Sequence, residues 1–153
     1  MTQTFDIAVI GATGTVGETL VQILEERDFP LGTLHLLASN ESAGSSVNYR
    51  GKNLRVREVD AFDFSLVKLA FFAAGPAVTR SFAAKARAAG CAVIDLSGAL
   101  SAEQVLAVVP EANPQVIQAL SKPVQLVSPS AAAVALAVVL ARSSRCLSWS
   151  GSA

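Results

Sequence analysis

The stretch FDIAVIGATGTVGETLVQILEER, residues 5–27, decides the fold. Phe5 to Ile10 is an apolar run of strand length, Gly11 to Gly17 reads as a glycine-rich turn, and Glu18 to Arg27 reads as a helix with Leu20, Ile23 and Leu24 at helical spacing. Glycine at 11, 14 and 17 removes Cβ atoms where a backbone must turn tightly, approach a pyrophosphate and let the helix close on the strand. The first N–H groups of that helix would face the phosphates, and its dipole favours their negative charge. The spacing GxxGxxG is one residue longer in its first gap than the GxGxxG fingerprint, so the glycines take their meaning from the strand before them and the helix after them. The alternative is a turn that only packs against a sheet.

Around this unit the chain offers one domain of 153 residues, with a hydrophobic fraction of 52% that can fill a sizeable core. Twelve basic and twelve acidic residues cancel, and no basic stripe with interleaved aromatics appears, which argues against nucleic acid as a partner. Cys91 and Cys146 lie far apart, and Met-Thr-Gln-Thr-Phe-Asp at the start lacks the positive flank of a secretory signal, so a cytoplasmic location is expected. The apolar run Ala131 to Ala141 falls well short of the roughly 20 residues that span a bilayer. No membrane segment is expected, and the run reads as a buried helix.

Downstream of the glycine turn, Leu31 to Leu37 and on to Ala38 reads as a strand buried on both faces, and Ser39 to Ser46 as a polar turn. Asn53 to Val59 and Leu66 to Ala73 read as further strands, Gly75-Pro76 as a break, and Val78 to Ala89 as a helix with Arg80, Lys85 and Arg87 on its wet face, stopped at Gly90. Ala92 to Asp95 returns as a strand. Leu96 to Pro110 reads as a crossing loop with a short strand at Val108-Val109, Asn113-Pro114 as the start of a helix reaching Leu120, and Val124 to Val127 as a last strand. Ser128-Pro129-Ser130 would cap the helix that begins near Ala131. Alternation at this interval predicts an α/β fold of Rossmann-like type, a doubly wound parallel sheet, over residues 1–141.

Ligands of such sheets bind at the carboxyl ends of the strands. Those ends carry Gly11 to Gly17, Ser39 to Ser42, Ala74-Gly75, Ser97-Gly98 and Ser128 to Ala131, all small or polar, as backbone contact with a nucleotide requires. The cofactor-binding candidates are Gly11, Thr13, Gly14, Thr15, Val16, Gly17, Ser39, Glu41, Ser42, Ala74 and Gly75. His35 is the only histidine, which excludes a cluster of several histidines, and it reads as a packed or edge residue. No catalytic residue and no metal site is assigned. A short-chain dehydrogenase is excluded because the only tyrosine, Tyr49, has Asn53 where a lysine is needed.

Gly11-Ala-Thr-Gly-Thr-Val-Gly17, Leu37-Ala-Ser-Asn-Glu-Ser-Ala-Gly44, Leu69-Ala-Phe-Phe-Ala-Ala-Gly75, Val93-Ile-Asp-Leu-Ser97 and Val108-Val-Pro-Glu-Ala-Asn113 together resemble the nucleotide domain of the aspartate-semialdehyde dehydrogenase family. The resemblance runs from the N-terminus to about residue 140. It implies an NADP-dependent reductive dephosphorylation of an acyl phosphate to an aldehyde through a cysteine thioester. In that family the thiol stands at a helix start in an Asn-Pro-Asn-Cys motif, where the helix dipole favours the thiolate.

Three departures from the family pattern follow. The nucleophile's place is Ala131, after Ser128-Pro129-Ser130; the place of the family's phosphate-binding arginine is Ser101; and the place of the arginine that grips the 2′-phosphate of NADP is Glu41, in Ser39-Asn40-Glu41-Ser42. Like charges about 4 Å apart at an effective dielectric near 20 repel by about 4 kcal/mol before screening. A carboxylate past the second strand can instead accept from a ribose 2′-OH, so NAD is expected over NADP. Cys91 enters a strand and reads as a structural thiol.

These losses resemble the Usg proteins, relatives that keep the dehydrogenase fold without its catalytic pattern, and imply a noncatalytic NAD(P)-binding protein, a pseudoenzyme. The alternative is an NAD(P)-dependent oxidoreductase acting on an aldehyde or acyl phosphate in amino-acid biosynthesis. Residues 142–153 have no apolar period and read as an irregular tail, expected from a truncated or frame-shifted chain whose second dehydrogenase domain is missing. Without that domain the apolar helix at 131–141 would be partly uncovered, and association with a second copy or a partner protein is the expected result.

Overall fold

The computed structural model describes residues 4–100, 105–118 and 123–147, with backbone alone at 117–118 and 142–147. Seven strands form one parallel sheet: β1 (Phe5–Ile10), β2 (Leu31–Ala38), β5 (Arg57–Glu58), β6 (Leu69–Phe72), β7 (Ala92–Asp95), β8 (Leu106–Ala107) and β9 (Gln125–Val127). Their spatial order is β5-β2-β1-β6-β7-β9-β8. A separate antiparallel hairpin joins β3 (Ser46–Tyr49) to β4 (Lys52–Arg55). The helices are α1 (Thr15–Glu26), α2 (Pro76–Ala88), the short α3 (Gln115–Gln118) and α4 (Ala131–Leu147).

The chain winds outward from β1 in both directions, through β2 to β5 on one side and through β6 and β7 to β9 and β8 on the other. The doubly wound Rossmann-like α/β fold is therefore present. The crevice where the winding reverses lies beside the carboxyl end of β1, the place such sheets use for ligands. Both faces of the sheet are covered, which is why its central strands are apolar without alternation. Val9, Leu36 and Ala38 pack with Val21 and Leu24 of α1 on one face. Ala8, Ile10, Leu37 and Phe72 pack with Ala83 and Ala86 of α2 on the other, where Phe64 joins Phe62 edge-on at 5.3 Å.

Several expectations need correction. Helix α1 starts at Thr15, not Glu18, because three residues of the glycine turn already hold helical geometry. Asn53 to Val59 is not one strand: Lys52–Arg55 returns along Ser46–Tyr49 as a hairpin, and only Arg57–Glu58 joins the main sheet. The two-residue loop is Arg50-Gly51, both at positive φ (50° and 72°) as a primed turn demands. Arginine there gives no turn signal in the sequence. It is held by an ion pair with Asp28 and by stacking over the Tyr49 ring at 5.4 Å. The strand expected at Val108-Val109 lies at Leu106–Ala107, because Val109 turns away to donate its N–H to the Asn113 side chain at 2.7 Å. The expected helix end at Leu120 lies outside the described residues.

Helix α4 departs most. Helical backbone continues through Leu147, across the first six residues expected to be irregular, while 148–153 lie outside the described residues. The helix is also not buried: Leu136, Val139 and Leu140 are 60%, 61% and 57% exposed. No described helix is long and apolar enough to cross a membrane.

Candidate functional site

The crevice at the carboxyl ends of β1, β2 and β6 holds a cleft of about 280 Å³ lined by Gly11, Thr13, Gly14, Ser39, Ser42, Ala74 and Gly75, with Ile10, Ala38, Ala73 and Val78 filling its walls. Seven of the expected cofactor residues thus meet at one place. Thr15, Val16, Gly17 and Glu41 are outside the lining. Thr15 and Val16 open the first turn of α1, Gly17 is buried within it, and Glu41 is exposed in the short 3-10 helix Asn40–Ser42. Sequence reasoning missed Ile10, Ala38, Ala73 and Val78, whose side chains carry no polar atom and no glycine signal.

The glycines divide by what the fold needs. Gly11 sits at φ 85°, and a Cβ there would come within 2.6 Å of the Ala74 nitrogen. A Cβ on Gly17 would stand 2.1 Å from the Gly11 carbonyl oxygen. These two let the loop turn and let α1 close on β1. Gly14 is different: its φ of −89° suits any residue, and the nearest atom to an added Cβ is 3.5 Å away, an ordinary contact. Gly75, at φ −62°, would meet nothing within 4 Å. Neither bare backbone is required by packing, and both face the cleft.

Gly14 and Gly75 are also the N-caps of α1 and α2, and neither helix has a side-chain cap bond there. The first N–H groups of a helix lack intrahelical acceptors, so two helix starts offer donors and positive dipole ends to one cleft. A pyrophosphate is the group that such an arrangement suits. The loop itself is fixed by Gly11 N–H and Ala12 N–H donating to the Leu37 carbonyl at 2.8 and 3.2 Å, and by Gly14 N–H donating to Gly11 O at 3.1 Å.

Size alone would point elsewhere, to an open groove of about 830 Å³ between α2 and Gln125 that holds Arg80 and Arg87. Four of its nine lining residues are alanines, and neither helix N-cap, Gly14 or Gly75, is among them. The cleft with convergent backbone donors is the better-built site.

The remaining candidates are placed as follows. Ala131 is the first residue of α4, with Ser130 Oγ accepting from the Ala133 N–H at 3.3 Å, so a side chain at 131 stands at a capped helix start on the carboxyl edge of the sheet. Cys91 lies fully buried at the opposite, amino edge, before β7, and burial raises its thiol to about 11. His35 is half-buried against the Phe62 ring at 5.2 Å, and burial, reinforced by Arg57, lowers its pKa. Ser101 lies outside the described residues. Among the described residues no group of three or more His, Cys, Asp or Glu could hold a metal.

Comparison with known proteins gives a consistent result. The family described as semialdehyde dehydrogenase, NAD binding domain, matches residues 6–120. A USG-1 protein homolog of Azotobacter vinelandii is 60% identical over 141 residues, 92% of this chain and 42% of the relative. The structure of a probable aspartate-semialdehyde dehydrogenase from Pseudomonas aeruginosa superposes with a TM-score of 0.88 at 53% identity, covering 91% of this chain and 42% of that one. Aspartate semialdehyde dehydrogenase II from Vibrio cholerae, solved in complex with ASA, gives 0.85 at 38% identity, covering 90% and 45%. The chain thus spans less than half the length of these relatives.

Proposed function

Since the chain belongs to the semialdehyde dehydrogenase family, whose NAD-binding domain it carries, we propose that it binds a nicotinamide dinucleotide without the family's thioester chemistry, in the manner of the Usg type. The observation that carries this reading is the methyl group of Ala131 at the start of α4. Thioester chemistry needs a thiolate that can leave its burial and its proton. Cys91 is buried at the far edge of the sheet with its proton held to about pH 11.

In this reading Gly11 to Gly14 and the first turn of α1 hold the pyrophosphate, Ser39 and Ser42 stand beside the adenosine ribose, and Ala74-Gly75 border the other half of the ligand. A bound nicotinamide would supply hydride transfer. Direct titration with NADH, followed by incubation with NAD or NADP, phosphate and aspartate semialdehyde, tests the proposal. Saturable binding with no reduced cofactor and no protein thioester is expected. Reduced cofactor appearing under turnover would favour the alternative, an oxidoreductase acting on an aldehyde or acyl phosphate in amino-acid biosynthesis.

The preference for NAD over NADP rests on Glu41, placed between two lining residues, Ser39 and Ser42. Glu41 is solvent-exposed, so the repulsion is that of a water-like dielectric, about 1 kcal/mol at 4 Å. NADH should bind about five-fold more tightly than NADPH, and Glu41→Gln should close that gap. Equal affinities for the unaltered chain would contradict it.

The exposed apolar face of α4 supports association with a second copy or a partner protein. A cytoplasmic location belongs to the same proposal, and the free, buried Cys91 is compatible with its reducing conditions.

A further inference from the structure

Asp95 ends β7 as a wholly buried carboxylate, a costly arrangement unless its oxygens find donors. They do: Oδ1 accepts the Ser97 N–H at 2.7 Å and the Ser97 hydroxyl at 2.6 Å, and Oδ2 accepts the Leu100 N–H at 2.9 Å. A carboxylate only accepts, so the Ser97 hydroxyl spends its single proton there. Its lone pairs are then left for the Ala99 N–H at 3.2 Å and for the hydroxyl of Thr79, 3.0 Å away. Thr79 is fully buried in the first turn of α2, next to Val78 of the cleft wall. One chain of hydrogen bonds, each proton assigned, therefore joins the end of β7, the loop after it and the start of α2.

Apolar residues could pack these segments without the cost of burying a charge. A satisfied polar chain instead fixes one geometry. That geometry matters for half of a dinucleotide. The adenosine ribose belongs beyond β2, so the nicotinamide half runs the other way, across the ends of β6 and β7. Phe72 pairs with Asp95 in register, which puts the β7 loop about one strand spacing, roughly 4.8 Å, beyond the end of β6.

We infer that Thr79, Ser97 and Asp95 form a positioning latch that sets the β7 loop and the start of α2 as the wall of the nicotinamide half of the cleft. This rests on the nucleotide-binding reading above. The test is to titrate NADH and ADP separately into the unaltered chain, Thr79→Val, Thr79→Ser and Ser97→Ala, with the melting temperature of each recorded. Thr79→Val should weaken NADH about five-fold, the loss of one ordinary hydrogen bond, and leave ADP within about two-fold. Ser97→Ala, on a partly exposed loop, should give the same NADH-selective loss, and Thr79→Ser should restore affinity. Equal weakening of both ligands, or unchanged NADH affinity in both variants, overturns the latch. Failure of the unaltered chain to bind either ligand overturns the nucleotide reading itself, and the latch with it.

Discussion

A thiol that does chemistry must reach its substrate and lose its proton near neutral pH. Cys91 is fully buried and keeps its proton to about pH 11, so alkylation of the folded chain in a Cys146→Ser background should be negligible at pH 8 and complete on unfolding. The same shift has a thermodynamic sign. Above about pH 9 the unfolded thiol loses its proton while the folded one keeps it, so stability should fall as pH rises through 9 to 11, by on the order of 2 kcal/mol, and Cys91→Ala should flatten that fall. Fast alkylation at pH 8 would contradict the burial argument. At this scale the sequence was informative about type and weak about neighbours. Gly11 and Gly17 announced a close backbone approach, and the structure supplies the partners, Ala74 and the Gly11 carbonyl. Thr79 gave no such signal, because its meaning lies in a contact with Ser97, 18 residues away in sequence.

Among the elements, α1 was legible because its apolar spacing and glycine start agree, and its boundary was missed only where the turn merges into the helix. The β3–β4 hairpin was not legible. Its turn is Arg-Gly and its strands are largely polar, so neither period nor turn chemistry marks it, and a tertiary ion pair to Asp28 holds the tip. The junction of β1 with α1 gives a sharp prediction. Gly17→Ala forces a Cβ to 2.1 Å from the Gly11 carbonyl, against backbone that cannot yield cheaply, and should cost about 2 kcal/mol or more in denaturant unfolding. Gly14→Val keeps an ordinary φ with 3.5 Å of room at its Cβ, and as a change from glycine to valine at a helix N-cap should cost only about 1 kcal/mol. Similar losses for the two would mean that Gly14 is kept for packing and not for a ligand.

For the molecule as a whole, the sheet order follows from strands alternating with helices, and its crevice from where the winding reverses. The partial uncovering of α4 was expected from its all-round apolar sequence, whereas which residues stay exposed depends on what packs against it and appears only in the structure. With Leu136, Val139 and Leu140 more than half exposed, the chain should elute above its monomer mass of 15.8 kDa in sizing chromatography, and Leu136→Lys with Leu140→Lys should return it to a monomer. A sharp monomer peak for the unaltered chain would contradict this. The central claim is that a dehydrogenase cradle still takes its dinucleotide where the sulfur is gone. Its most direct test is an NADH fluorescence titration of the unaltered chain beside Gly14→Val, which adds bulk at a residue lining the cradle without forcing an unusual φ. Saturable one-site binding that Gly14→Val abolishes while the chain still melts as one cooperative fold is the predicted result. NADH binding that survives the substitution would place the ligand elsewhere and contradict the account.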